Sequence, residues 1–100
     1  MYIAMNRFKI IDGNEKAFEE IWQQRDSHLK GVDGFLGFNL LRGSCDGTIT
    51  LYASHTSWKS KKHFENWTRS EAFRKAHKGA GSNKNLYNGH PEFEGFESVI

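Results

Sequence analysis

Cysteine occurs once, at Cys45, so the chain can form no intramolecular disulfide, no CxxC redox pair and no cysteine-based zinc site. Nothing near it would activate a thiol, and it reads as an ordinary loop residue. No run of about 20 apolar residues is present to span a bilayer. The stretch MYIAMNRFKI lacks the charged, apolar, then small-residue order of a secretory signal, which leads to the expectation of a cytoplasmic protein. There is no GxGxxG fingerprint after the first strand-like stretch and no P-loop, which speaks against a bound dinucleotide or nucleoside triphosphate. No HExxH or other close histidine pair points to zinc, and no serine lies on a nucleophile elbow. Proline is equally scarce, with one in 100 residues. Together with an ordinary apolar share this predicts one compact domain over residues 1–100. A chain of this size buries only about 60–65% of its unfolded surface, so a partner subunit would help it.

Charge is nearly balanced in total and uneven in place. Between Ser57 and Lys84 stand eight Lys or Arg residues against Glu65 and Glu71 alone, and the remainder is net acidic. The asymmetry favours an anionic ligand, beside the commoner reading of a solvated helix face. Nucleic acid is not expected, because the aromatics here fall on the inward face rather than among the lysines.

Tyr2 to Ile11 reads as a strand with Tyr2, Ala4, Asn6, Phe8 and Ile10 on one face. Asn6 is the odd polar residue there, either satisfying neighbouring backbone or aimed as a donor into a pocket. After a turn at Asp12, Gly13 and Asn14, the spacing of Phe18, Ile21, Trp22, Arg25 and Leu29 predicts one amphipathic helix ending near Gly31. Arg25 on its inner stripe could snorkel, form a structural ion pair or meet a carboxylate. Strands are predicted at Gly34–Arg42 and Thr48–Thr56 around a turn at Gly43–Gly47. Leu36, Phe38 and Leu40 alternate in the first, with Phe35 and Leu41 opposite. Apolar residues on both faces, including Ile3 and Met5, suggest that a second copy of the sheet covers one of them.

The segment SWKSKKHFENWTRSEAFRKAHK, Ser57 to Lys78, spaces Trp58, Phe64, Trp67, Phe73 and His77 at helix-like intervals. Ser60 and Ser70 suit N-caps, predicting a helix, a break near Arg69 and a short second helix ending at Gly79. Phe73 lies one turn before His77, which turns that imidazole inward, where it could ligate a metal or an anionic cofactor. His55, on a strand end beside apolar partners, is the rival ligand; His28 and His63 read as solvated, and His90 as part of a loop. The polar stretch GAGSNKNLYNGH reads as a loop, followed by a last strand from Glu92 to Ile100. The order strand, helix, strand, strand, helix, strand is ferredoxin-like, an α+β class.

Several of these stretches, taken in order, resemble the IsdG-type haem-degrading monooxygenases, including their HmuQ-like members, within the antibiotic biosynthesis monooxygenase superfamily. The marks are NRF from Asn6, W..R at Trp22 and Arg25, GFLGFNLLR from Gly34, TSWKS from Thr56, and F..W..S.AF..AH from Phe64 to His77. The resemblance implies a homodimer of ferredoxin-like subunits joined in a central α+β barrel, with one haem pocket per subunit. It implies a site of Asn6, Trp67 and His77, with Trp22, Arg25 and Phe73 also at the haem and Arg25 and the residues Arg74 to Lys78 near its propionates. His77 would be the axial ligand of the iron, Asn6 a donor toward bound dioxygen, and Trp67 the ring that presses the porphyrin out of plane. Haem would be cofactor and substrate together, opened at a meso carbon to a biliverdin-like tetrapyrrole and free iron. Electrons would come from an external donor, with no bound flavin or nicotinamide. The alternatives are a haem-independent oxygenase of polycyclic aromatic metabolites and a non-catalytic haem carrier.

Overall fold

The computed structural model describes residues 1–24, 29–76 and 86–100. Four strands, β1 (Tyr2–Ile11), β2 (Phe35–Cys45), β3 (Ile49–Trp58) and β4 (Glu92–Glu97), form one antiparallel sheet in the order β2-β3-β1-β4. Helices α1 (Glu15–Gln24), α2 (Lys61–Thr68) and α3 (Glu71–Ala76) belong to the connections, and the arrangement is the ferredoxin-like one that the element order predicts. No helix among the described residues is long and apolar enough to cross a membrane.

Alternation decides which face carries the helices. Tyr2, Ala4, Phe8 and Ile10 of β1 are buried, as are Thr50, Tyr52, Ser54, Thr56 and Trp58 of β3, and these face α1 and α2. The core divides in two. One cluster joins Tyr2, Ala4, Leu29, Trp58 and Trp67, and the other joins Phe8, Ile10, Phe18 and Tyr52. The opposite face carries Ile3, Met5, Leu51 and Ala53, with Leu41 and Phe96 exposed.

Several expectations need correcting. Trp58 does not join the helical stripe: it closes β3 fully buried, and its indole N–H donates to Thr56 Oγ1 at 3.0 Å. A register shift between Phe35 and Gly37 breaks the alternation of Leu36 with Phe38 and Leu40. Phe35 therefore meets Trp58 edge-on at 5.6 Å, and Leu36 is exposed. The turn at Gly43–Gly47 contracts, because β2 runs on to Cys45 and pairs with Thr50. Asp46 closes that turn by accepting from the Thr48 and Ile49 N–H groups at 2.8 Å each, and those bonds, Ile49 foremost, hold its carboxyl below the usual range. Helix α1 is described over Glu15–Gln24, and Leu29, though buried, is not helical. Strand β4 stops at Glu97, three residues short of Ile100. The stretch expected to be a polar loop contributes buried Leu86, and Tyr87 pairs with Ile10 and stacks on Phe8 at 6.0 Å.

Two glycines are required by contact. Gly34 has φ +82°, and a Cβ there would enter the His63 ring; one at Gly95 would overlap the Tyr2 hydroxyl.

Candidate functional site

The cross-strand row through the middle of the helix-facing sheet reads Leu40, Ser54, Asn6, Phe93, from β2 to β4. It lies between the two core clusters: Ala4 on one side belongs to the first, Phe8 on the other to the second. Asn6 is half-buried, and among the described residues its carboxamide makes no hydrogen bond to protein. The backbone-satisfying role considered for Asn6 therefore has no counterpart here, and the amide is available to something held over the sheet.

Aromatic groups flank the row. Ser60 caps α2, its Oγ accepting from the His63 N–H, and the chain bends at Arg69 before Ser70 Oγ accepts from the Phe73 N–H at 3.1 Å. This break, at the predicted place, swings α3 so that Phe73 meets Trp67 edge-on at 4.9 Å and 85°. Trp67 also lies 5.3 Å from Trp58 and is 8% exposed. Across the row, Trp22 on α1 stacks on Phe38 of β2 at 5.6 Å and 18°. Phe38 in turn packs against the first cluster, so these two rings join the clusters. The structure thus brings Trp67 and Phe73 to one half of the sheet's helix side and Trp22 to the adjoining half, with Asn6 on the row between them. Arg25 and His77 lie outside the described residues, one residue beyond α1 and α3 respectively. Arg74 and Lys75 are exposed, and Arg74 pairs with Glu71 at 3.4 Å.

An open cleft of about 490 Å³ adjoins the row at Leu40, with Trp22, Phe38, Tyr52, Glu19 and Arg42 around it. That volume lies within the usual range for small-molecule sites. The Tyr52 hydroxyl donates to Glu19, which also meets Arg42 at 3.6 Å. Burial first, and Glu19 second, push the Tyr52 phenol up to about 12. Sequence reasoning missed this trio, whose partners lie on three elements and share no local spacing.

The histidines sort themselves by face. His55 pairs with Met5 and Asn39 on the side away from the helices, so it cannot serve a ligand held between helices and sheet. His63, expected to be solvated, is half-buried instead, its Nδ1 2.7 Å from Ser60 Oγ and its Nε2 3.6 Å from Asp33. Among the described residues, the one group spaced for a metal is Asp12, Glu15 and Cys45. Glu15 is already engaged, accepting from the Gly13 N–H at 2.8 Å and the Thr50 hydroxyl at 2.7 Å. The Thr50 bond is the main cause that lowers its carboxyl from the ordinary value.

Comparison with known proteins places this geometry. Residues 1–79 match the family model described as antibiotic biosynthesis monooxygenase. A haem-degrading monooxygenase of Halalkalibacterium halodurans is 36% identical over 78 residues, which cover 77% of this chain and 66% of the relative, just under two thirds of its length. One of Bacillus mycoides is 31% identical over 81% of this chain and 75% of its own. The solved structure of the haem degrader MhuD from Mycobacterium tuberculosis, with two haems bound in its active site, superposes with a TM-score of 0.77. The identity there is 28%, over 100% of this chain and 97% of that one. The chain belongs to the antibiotic biosynthesis monooxygenase family and, within it, stands with the haem-degrading monooxygenases.

Proposed function

We propose that this chain binds haem between the helices and the sheet and degrades it as a monooxygenase. The observation that carries the reading is the half-buried Asn6 carboxamide, without a hydrogen bond among the described residues and on the row between the core cluster that Trp67 and Phe73 join and the one that Trp22 packs against. A porphyrin needs broad apolar walls and few polar contacts, and this donor set supplies both. His77 is the proposed iron ligand, acting as a neutral imidazole, with Arg25 the proposed propionate partner. Bound haem would supply the redox-active iron and the carbon skeleton that is oxidised, with dioxygen and an external reductant as co-reactants. Asn6 orients a small ligand through its amide protons. Trp67, wedged against Trp58 and Phe73, presents a rigid indole that bears on the macrocycle. Meso cleavage to a biliverdin-like tetrapyrrole, a cytoplasmic setting and a single domain over residues 1–100 belong to the same proposal. So does a homodimer, supported by the apolar residues Ile3, Met5, Leu41, Leu51 and Phe96 on the sheet face that no helix among the described residues covers.

Haem titrated into the purified protein should give a shifted Soret band. Reduction followed by air, with catalase present, should make that band decay with release of iron. A band that survives turnover conditions marks a carrier, and no band at all removes haem from the reading. His77→Ala should weaken the haem complex by at least tenfold.

A further inference from the structure

Four hydroxyl-bearing side chains, Thr50, Tyr52, Ser54 and Thr56, line the helix-facing side of β3, all of them buried. Three are engaged: Thr50 donates to Glu15 at 2.7 Å, Tyr52 donates to Glu19, and Thr56 donates to the Ala4 carbonyl at 3.3 Å. Ser54 differs. It is 8% exposed, and among the described residues its Oγ makes no hydrogen bond. Its Oγ is not among the side-chain atoms sealed from water without a partner, so the hydroxyl keeps an open side toward whatever is held over the sheet. The directly opposed residue on β1 is Asn6, whose amide is likewise unengaged. Opposed side chains on one sheet face stand about 4.5–5.5 Å apart at Cβ, close enough for both to reach a single small ligand. Leu40 and Phe93 close the row on either side, so the polar pair is flanked by hydrocarbon.

We propose that Ser54 is a second hydrogen-bond donor of the site, acting with Asn6 on the same small polar ligand on the sheet side of the bound haem. The proposal rests on the haem reading above. It assigns the hydroxyl a binding role that neither Trp67 nor His77 could fill. Asn6 offers two N–H donors and Ser54 one O–H, which suits an anionic or partly anionic diatomic or triatomic ligand.

Azide is the probe, titrated into the ferric haem complex and followed by its Soret shift. Carbon monoxide on the ferrous complex is the control, being a poor acceptor of hydrogen bonds. Ser54→Ala should weaken azide binding by about 3- to 10-fold, the worth of one hydrogen bond, and change carbon monoxide binding by less than about twofold. Ser54→Thr, which keeps the hydroxyl, should restore azide affinity. Because the two donors share a ligand, Asn6→Ala with Ser54→Ala should lose less than the product of the single losses. Unchanged azide affinity in Ser54→Ala, or equal losses for azide and carbon monoxide, overturns the assignment while leaving the haem reading intact. A wild-type protein that gives no Soret shift with haem overturns both.

Discussion

Trp67 is asked to serve the core and the ligand at once, and replacing it by two different residues separates those tasks. Its indole is 8% exposed and lies against Trp58 at 5.3 Å, Phe73 at 4.9 Å and Phe64 at 6.2 Å. Truncation of such a ring to alanine costs about 3–5 kcal/mol, from lost transfer energy and the cavity left behind. A domain of this size has about 5–15 kcal/mol in total, so Trp67→Ala should be marginally folded. Phenylalanine keeps one ring and its edge contact with Phe73, each such pair being worth about 0.5–1.5 kcal/mol. Trp67→Phe should therefore lose only about 1–2 kcal/mol, a fall in Tm of roughly 5–15 °C. Urea unfolding followed by far-UV circular dichroism measures both losses, and the Phe variant is then compared with wild type for haem binding and rate of haem loss under reductant and air. Binding should persist and degradation should slow severalfold. A Phe variant that degrades haem at the wild-type rate would refute the role given to ring bulk, and an Ala variant as stable as the Phe variant would refute the packing estimate.

Two further outcomes test the frame around the site. Gly34→Ala places a side chain at φ +82° and into the His63 ring, so it should cost at least about 2 kcal/mol, read as a fall of about 10 °C in Tm; an unchanged Tm would contradict the close approach of α2 to β2. Tyr52 gives a pH signature: its phenol stands at about 12 instead of 10.0, so the folded chain favours the neutral form. That stability is complete below pH 10 and is lost as pH rises through 12, by up to about 2–3 kcal/mol. Urea midpoints at pH 9 and pH 11.5 should fall further apart in wild type than in Tyr52→Phe.

The strand β1 was fully legible, because period-two alternation over ten residues marks one face and exposes Asn6 as the exception on it. The two caps at Ser60 and Ser70, and the break between α2 and α3, were equally plain. Trp58 was misplaced because helical and strand spacing overlap where an aromatic stands beside lysines, and the β3 ladder with Tyr2 and Phe35 decides it. The bulge that turns Phe35 inward leaves no sequence mark beyond Gly34 and Gly37, which flank it. Leu86 and Tyr87 were hidden in a run of polar and glycine residues, although an adjacent Leu and Tyr in such a run is itself a sign of return to the core. Ser54 carried no signal at all: a serine in a strand is unremarked until its neighbours prove to be bonded and it does not.

The choice of His77 as proposed ligand gains from what the structure does with other imidazoles. His55 looked plausible from sequence because it borders apolar residues, yet strand parity sends it to the face opposite Asn6, since it pairs with Met5 while Asn6 pairs with Ser54. No side-chain rearrangement reverses parity; a one-residue slip of β3 would be needed, and that would also eject Trp58 and Tyr52 from the core. His63 is on α2 but is engaged with Ser60 on one nitrogen and close to Asp33 on the other, toward Gly34 rather than toward the row. His90 is exposed beyond Tyr87. His28 and His77 lie outside the described residues and follow different helices in the sequence, so substitution separates them. His28→Ala should leave the Soret band of the haem complex unchanged where His77→Ala shifts it and weakens the complex at least tenfold; the reverse result would transfer the proposed iron ligation to His28.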